Sequence, residues 1–182
     1  MKMTRVLCFA PLASVALLCA CASPAPTVTP PSVTIPDSLR PSASEVLQRT
    51  LSATGVQIYE CRATTAGASG PEWVFVAPEA TLTDAQGAVV GRHYAGPTWE
   101  AKDGSKVVGV VKAKVDAPGS IPWLLLTTHS TGQPGLFANV VSVQRVATAG
   151  GAMPATGCGT ATIGQVARVS YTAQYTQYAP KQ

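Results

Sequence analysis

Two histidines and one glutamate are the side chains of this sequence that could carry acid–base or metal chemistry. His93 opens a short segment that contains Glu100, and His129 follows much later in the chain. An imidazole titrates near neutral pH and binds divalent metals, and a carboxylate can orient it. Because the sequence has no His-x-x-x-His or Glu-x-x-His spacing, only folding could bring the three together. A metal-dependent or acid–base hydrolase that uses His93, Glu100 and His129 is therefore an alternative hypothesis, and we predict neither a bound metal nor a cofactor.

The same segment contains aromatic side chains on which a sugar ring could stack. Tyr94 and Trp99 flank Gly96-Pro97, and Trp123 follows Ile121-Pro122. Their flat apolar faces suit a saccharide, and nearby acidic side chains could accept hydrogen bonds from its hydroxyl groups. The competing interpretation is that the tryptophans fill the core of the domain. We predict Tyr94, Trp99 and Trp123 as ligand-binding residues.

Arg145 is the one charged residue within the apolar run from Val140 to Val146. Its planar guanidinium could anchor an anionic ligand, or it could pair with a carboxylate on a neighbouring strand, such as Glu60 or Glu100. We include Arg145 among the predicted ligand-binding residues and leave both roles open.

The elements that must position these residues are β-strands. Apolar runs that alternate with polar residues recur from Val56 to the carboxyl terminus. Asp84-Ala85-Gln86-Gly87 and Asp103-Gly104 suit hairpin connections, because Asp bonds back to the backbone and Gly accepts positive φ. In the last run four residues share one face: Val169, Tyr171, Ala173 and Tyr175. The pattern predicts an all-β, single-domain antiparallel sandwich or barrel-like fold, with at most one short N-terminal helix capped by Ser42 or Ser44.

The first 20 residues have the features of a signal peptide. Lys2 and Arg5 precede an apolar run over residues 6–20, which at about 15 residues is shorter than the roughly 20 that a membrane-spanning helix needs. Leu18-Cys19-Ala20-Cys21 resembles the bacterial lipobox, which implies cleavage before Cys21 and acylation of its thiol. The alternatives are a retained anchor and ordinary cleavage that releases a soluble protein. An aspartate after the lipobox cysteine favours the inner membrane, so Ala22 favours an outer-membrane location.

A proline-rich segment follows the leader. Six prolines lie between residues 22 and 41. Proline removes backbone donors and favours an extended chain, so this segment is predicted to be a tether. The predicted organisation is a signal peptide at 1–20, a lipidated Cys21 with its tether over 21–41, and one β domain over 42–182.

Composition argues against a protein that binds polyanions. Without Lys2 and Arg5, the 13 Lys and Arg residues become 11, against 9 Asp and Glu, so the mature chain has a net charge of +2. Nucleic-acid-binding domains normally carry a concentrated basic surface. We therefore predict no nucleic-acid partner.

Cysteine usage agrees with export. Cys8 and Cys19 leave with the leader and Cys21 is the predicted lipid carrier, which leaves Cys61 and Cys158 as a pair. In an oxidising compartment such a pair is expected to form a disulfide, and the competing interpretation is two separately buried thiols.

An ordered set of motifs resembles the domain of unknown function 3455 family and covers residues from about Ser38 to Tyr178. The motifs are Val56-Gln57-Ile58-Tyr59 with Cys61, Gly91-Arg92-His93-Tyr94-Ala95-Gly96-Pro97-Thr98-Trp99, Asp103-Gly104-Ser105, Ile121-Pro122-Trp123, Gln144-Arg145, Gly150-Gly151 and Gly157-Cys158. The resemblance implies one exported domain and agrees with the cysteine pair, but it implies no reaction.

These observations favour a lipid-anchored protein of the bacterial cell envelope, with the outer membrane as the favoured location. Its predicted role is that of a non-catalytic, β-rich binding or structural module. The expected partners are the membrane, through the lipid anchor, and a saccharide or another envelope protein. An enzymatic role is the less favoured hypothesis, because no motif establishes a reaction.

Overall fold

Eight antiparallel strands follow one another along the chain and close into a barrel. The computed structural model describes residues 33–63 and 70–182. The strands are β1 (Glu45–Arg62), β2 (Glu72–Thr83), β3 (Val89–Tyr94), β4 (Thr98–Ala101), β5 (Lys106–Val115), β6 (Trp123–Ser130), β7 (Ser142–Gly150) and β8 (Val166–Pro180). Each strand pairs with the next, and β1 pairs with β8 to close the sheet. The prediction of an all-β antiparallel fold is confirmed, and the barrel is the observed form of the two that the sequence left open.

Turn chemistry explains why the strands reverse where they do. Asp84 Oδ1 accepts hydrogen bonds from the backbone N–H groups of Gln86 and Ala88, and Gly87 has a φ of 81°. Asp103 likewise accepts from the N–H of Ser105 ahead of β5. Both turns were predicted from their Asp and Gly residues, which supply the side-chain acceptor and the positive φ that tight connections need.

The sequence allowed at most one short N-terminal helix, and the described residues contain no α-helix. The segment after Ser42 forms no helix, because from Glu45 onward it pairs with β8 over nearly the whole length of that strand. Tertiary pairing therefore overrides the capping signal. β2 is continuous from Glu72 to Thr83. The helical elements of the described residues are two 3-10 turns, at Asp37–Leu39 and Thr160–Thr162. Among these residues, no helix is long and apolar enough to cross a membrane.

The barrel has two unlike ends. At one, which we call the closed end, the connection between β6 and β7 folds inward and Phe137 is fully buried in the same core as Trp99 and Tyr175. Hydrogen bonds hold this connection: Leu136 N–H donates to Asp103 (2.7 Å) and Phe137 N–H donates to Ser105 Oγ (2.9 Å). The other end, which we call the mouth end, carries the β1–β2, β3–β4, β5–β6 and β7–β8 connections.

Residues 33–41, the last part of the predicted tether, pack against the barrel. The 3-10 turn at Asp37–Leu39 lies against β5 and β6, and Leu39 is fully buried. The Gln144 side-chain amide donates to the Leu39 carbonyl (2.6 Å). The predicted signal peptide, the lipidation site Cys21 and residues 22–32 of the tether lie outside the described residues.

One disulfide joins Cys61 to Cys158, as the sequence predicted. Cys61 lies near the end of β1, and Cys158 lies in the long connection between β7 and β8. The bridge therefore ties that connection to the barrel wall at the mouth end.

Candidate functional site

A cavity of about 400 Å³ opens inside the barrel toward its mouth end. All eight strands contribute side chains to its wall, together with the β3–β4 and β5–β6 connections. An eight-stranded barrel is of the size whose interior is either filled by side chains or holds one small ligand. Here the side chains fill the closed end and leave the cavity at the other, with a volume in the range of small-molecule sites.

Three aromatic rings in mutual contact form the floor of the cavity. His93 of β3 and Trp99 of β4 are cross-strand partners, and their ring centroids lie 4.5 Å apart with an angle of 16° between the planes. Tyr175 of β8 meets both rings, at 5.0 Å from His93 and 5.5 Å from Trp99. Trp99 is 1% exposed, and its indole N–H has no hydrogen-bond partner among the described residues. The floor is therefore rigid and aromatic, with a donor group buried in it.

His93 is held in one neutral form. Its Nδ1 lies 2.8 Å from the Thr98 carbonyl, which can only accept, so Nδ1 carries the proton. The pKa of His93 is lowered to about 3, mainly by burial. The hydrogen bond to the Thr98 carbonyl raises the pKa, and the charge of Arg145 lowers it. At neutral pH the ring is therefore uncharged.

Arg145 is the charged side chain among the described residues that line the cavity. It lies between Leu124 of β6 and Tyr175 of β8, its two cross-strand partners. Its Nε and Nη2 groups both donate to the Pro122 carbonyl, at 3.0 and 2.8 Å. Since Pro122 immediately precedes β6, the guanidinium lies toward the mouth end.

The charge of Arg145 acts on the hydroxyl groups around it. Burial raises the pKa of Tyr59 and of Tyr175, and Arg145 opposes the rise in both. Tyr59 donates its hydroxyl proton to the Gly151 carbonyl (2.6 Å). The interior therefore has a positive potential on the Arg145 side and stays otherwise neutral at physiological pH.

The mouth of the cavity is apolar. Phe75 and Val76 of β2 and Val111 of β5 line it, and they are 49%, 44% and 51% exposed. The β3–β4 connection, Ala95-Gly96-Pro97, contributes a further edge, where Gly96 has a φ of 124° that favours glycine. Exposed apolar side chains around an opening are typical of sites that admit apolar molecules.

The structure brings only some of the predicted ligand-binding residues together. Trp99 and Arg145 line the same cavity. Tyr94 lies on the outer face, where its hydroxyl donates to Glu100 (2.5 Å) and its ring lies against Arg92. Trp123 precedes the cavity-lining Leu124, and because successive strand residues face opposite ways, Trp123 faces outward.

The three residues of the hydrolase hypothesis do not converge. His93 points into the barrel, whereas Glu100 lies on its outer face in an ion pair with Arg92 (3.1 Å). His129 is exposed on β6, opposite Val108. Within the described parts of the chain, no group of three His, Cys, Asp or Glu side chains could hold a metal ion. The geometry therefore gives no support to a site on His93, Glu100 and His129.

Several residues of the cavity wall were not predicted from the sequence as site residues. Tyr175, Tyr59, Gln57 and Leu124 all line the wall. Alternation places Tyr175 on one face with Tyr171 and Ala173, which the structure confirms as the inner face. Nothing in one strand's pattern, however, shows that its inner face meets Trp99 or Arg145 from other strands.

A family model described as "Protein of unknown function (DUF3455)" matches residues 41–179. The chain belongs to the DUF3455 family. The matched part of this DUF3455 protein runs from before β1 to the last residues of β8, so it contains the whole cavity wall. The comparison with curated proteins found no match, and the comparison with solved structures found none.

Proposed function

We propose that the barrel is a non-catalytic binding module whose ligand is a small, largely apolar molecule held in the cavity. The observation that carries this proposal is the cavity itself, with its aromatic floor and its half-exposed apolar mouth. Apolar pockets with a few placed polar groups are the usual sites of small ligands. In this reading Arg145 orients the ligand and Trp99 supplies apolar surface.

The geometry favours such a ligand over a saccharide. Tyr94 and Trp123 face outward at separate places and Trp99 is buried, so the three rings predicted to stack on a sugar share no surface. A saccharide also needs several polar partners, because its hydroxyl groups lose hydrogen bonds to water on binding. The cavity wall is mostly aliphatic and aromatic.

We further propose that the module acts in the cell envelope, with the outer membrane favoured, where acylated Cys21 attaches it to the membrane. The sequence of the leader supports this location. Labelled palmitate should enter the full chain and be absent from Cys21→Ser, and equal labelling of the two would contradict the anchor.

The neutral fluorescent probe N-phenyl-1-naphthylamine tests the cavity. We expect its fluorescence to rise on binding the full chain carrying Cys21→Ser, in which the residue predicted to be acylated is removed. Val111→Trp should weaken this binding about tenfold or more, because a larger side chain at the mouth fills the space that the probe needs.

Val110→Trp is the matched control. Val110 is the neighbouring residue of β5, is 62% exposed and does not line the cavity, so this variant should bind the probe as the parent chain does. A parent chain without binding, or equal loss in both variants, would contradict the proposal.

A further inference from the structure

The cavity contains a cation that no carboxylate of residues 33–63 and 70–182 neutralises. Among these residues Arg145 forms no ion pair, and its hydrogen bonds go to the Pro122 carbonyl and to the neutral Tyr175 hydroxyl. The two carboxylates considered from the sequence have other partners: Glu60 pairs with Arg62 (2.8 Å) and Glu100 pairs with Arg92. A partly buried charge without a counter-charge costs free energy, which an anion bound beside it would offset.

Arg145 keeps donor groups for such an anion. A guanidinium carries five N–H donors; two are directed at Pro122 and one at the Tyr175 hydroxyl, which leaves two. The Pro122 bonds also fix the plane of the guanidinium, since two of its nitrogens donate to one oxygen. A fixed planar fork is suited to a carboxylate, whose two oxygens can accept parallel hydrogen bonds.

The rest of the cavity wall determines the chemical character of the part of the ligand that carries the anionic group. Leu124 and Tyr175 flank Arg145 in the sheet, and Trp99 and His93 form the floor. None of these four carries a charge at neutral pH, because burial keeps His93 neutral. A ligand with its charge on Arg145 would therefore place an apolar body against an apolar surface.

We propose that the cavity selects small amphipathic monoanions, with a carboxylate on Arg145 toward the mouth end and the apolar part toward Trp99. This inference rests on the proposed function and names its ligand class. One guanidinium balances one negative charge, so a dianion would leave a net charge in the apolar interior. Arg145 is then the residue that determines specificity.

The experiment compares decanoate with decanol as competitors of N-phenyl-1-naphthylamine, each below its aggregation concentration. The two competitors share an alkyl chain and differ in the head group. We expect the full chain carrying Cys21→Ser to prefer decanoate by about tenfold or more, the range of a charge-assisted hydrogen-bonded pair. In Arg145→Met the preference should disappear while the neutral probe still binds.

Two further variants separate charge from structure. Arg145→Gln keeps an N–H donor for the Pro122 carbonyl and removes the charge, so it should also lose the preference for decanoate. This variant tests the role of the charge even where Arg145→Met does not fold. Arg92→Met removes a guanidinium from the outer face and should retain the parent preference.

The outcomes distinguish this inference from the function on which it rests. Probe binding that Val111→Trp abolishes, with decanoate and decanol competing equally, would overturn the anion selectivity and leave the cavity function standing. A decanoate preference that survives in Arg145→Gln would also overturn the role of Arg145. Failure of the parent chain to bind the neutral probe would overturn both.

Discussion

At the residue scale, His93 has a place in the fold that its chemistry alone would not suggest. A histidine beside acidic and aromatic residues is a reasonable candidate for catalysis, but here the ring stacks on Trp99 and donates to the Thr98 carbonyl. Burial keeps the ring neutral, although the Thr98 carbonyl by itself favours the protonated form. His93 is therefore a structural part of the cavity floor whose protonation would disturb it.

This burial predicts a dependence of stability on pH. The pKa of His93 is about 3 in the folded chain and about 6.5 when it is exposed. Between these values the unfolded chain binds a proton that the folded chain does not, so stability rises with pH and is lost as pH falls below 6.5. We expect His93 to contribute a loss of up to about 1.4 kcal/mol in the free energy of unfolding per pH unit. Urea titrations at pH 7 and pH 5 measure it.

His93→Phe provides the comparison, because it keeps an aromatic ring against Trp99 and removes the titrating group. Its free energy of unfolding should fall less between pH 7 and pH 5 than that of the parent chain. His129→Gln, on the exposed side of β6, should behave like the parent. An equal fall in His93→Phe and the parent would rule out this role for His93.

At the element scale, glycines let neighbouring strands approach closely where the barrel wall curves. Gly55 of β1 lies opposite Ala80 of β2, and a Cβ atom added to it would lie 2.1 Å from the Glu79 carbonyl oxygen. Gly91 of β3 has a similar relation to Glu100 of β4, at 2.3 Å. Such glycines mark sites of close backbone contact within a sheet, where a side chain cannot be accommodated.

We therefore expect Gly55→Ala to destabilise the barrel by about 1–3 kcal/mol or more, because backbone atoms, which cannot move aside, occupy the space that the methyl group needs. Chemical denaturation measures the change. Gly159→Ala is the matched control: its backbone is extended, with a φ of −162°, and no heavy atom lies within 4 Å of an added Cβ. Equal stability of the two variants would contradict the close approach of β1 and β2.

At the scale of the whole molecule, the disulfide constrains most of the barrel. Cys61 and Cys158 are 97 residues apart, and β2 through β7 lie between them. Closing so long a loop removes much conformational freedom from the unfolded chain. The bridge thus adds a covalent constraint to the packing of the barrel, and its Cys61 end is fully buried.

In the chain-entropy description, a loop of this length contributes about 4–5 kcal/mol to the free energy of unfolding. Reduction of the native chain, or the double change Cys61→Ser and Cys158→Ser, should therefore lower the urea midpoint strongly. The double variant should not respond to the reductant, which serves as the control. Identical midpoints for the oxidised and reduced parent chains would contradict a stabilising bridge.

Local patterns were sufficient for the strands and their turns. Alternation along β8 grouped Tyr171, Ala173 and Tyr175 on one face, and Asp and Gly residues marked two of the reversals, because side-chain period and turn geometry are properties of short segments. The cysteine pair also followed from the sequence, because Cys61 and Cys158 remain once the cysteines of the predicted leader and the predicted lipidation site are set aside. No helix forms after Ser42, because its capping signal competes with pairing to β8, which lies at the far end of the chain.

The binding site required the tertiary structure. Sequence alone determined an all-β domain with one disulfide, and it picked out Trp99 and Arg145 without relating them to each other. Pairing of β7 with β8 brought Arg145 beside Tyr175, and closure of β1 on β8 decided which faces point inward and brought Tyr175 against Trp99. The physical reason is that alternation relates residues within one strand, whereas the register and closure of eight strands depend on pairings between distant parts of the chain.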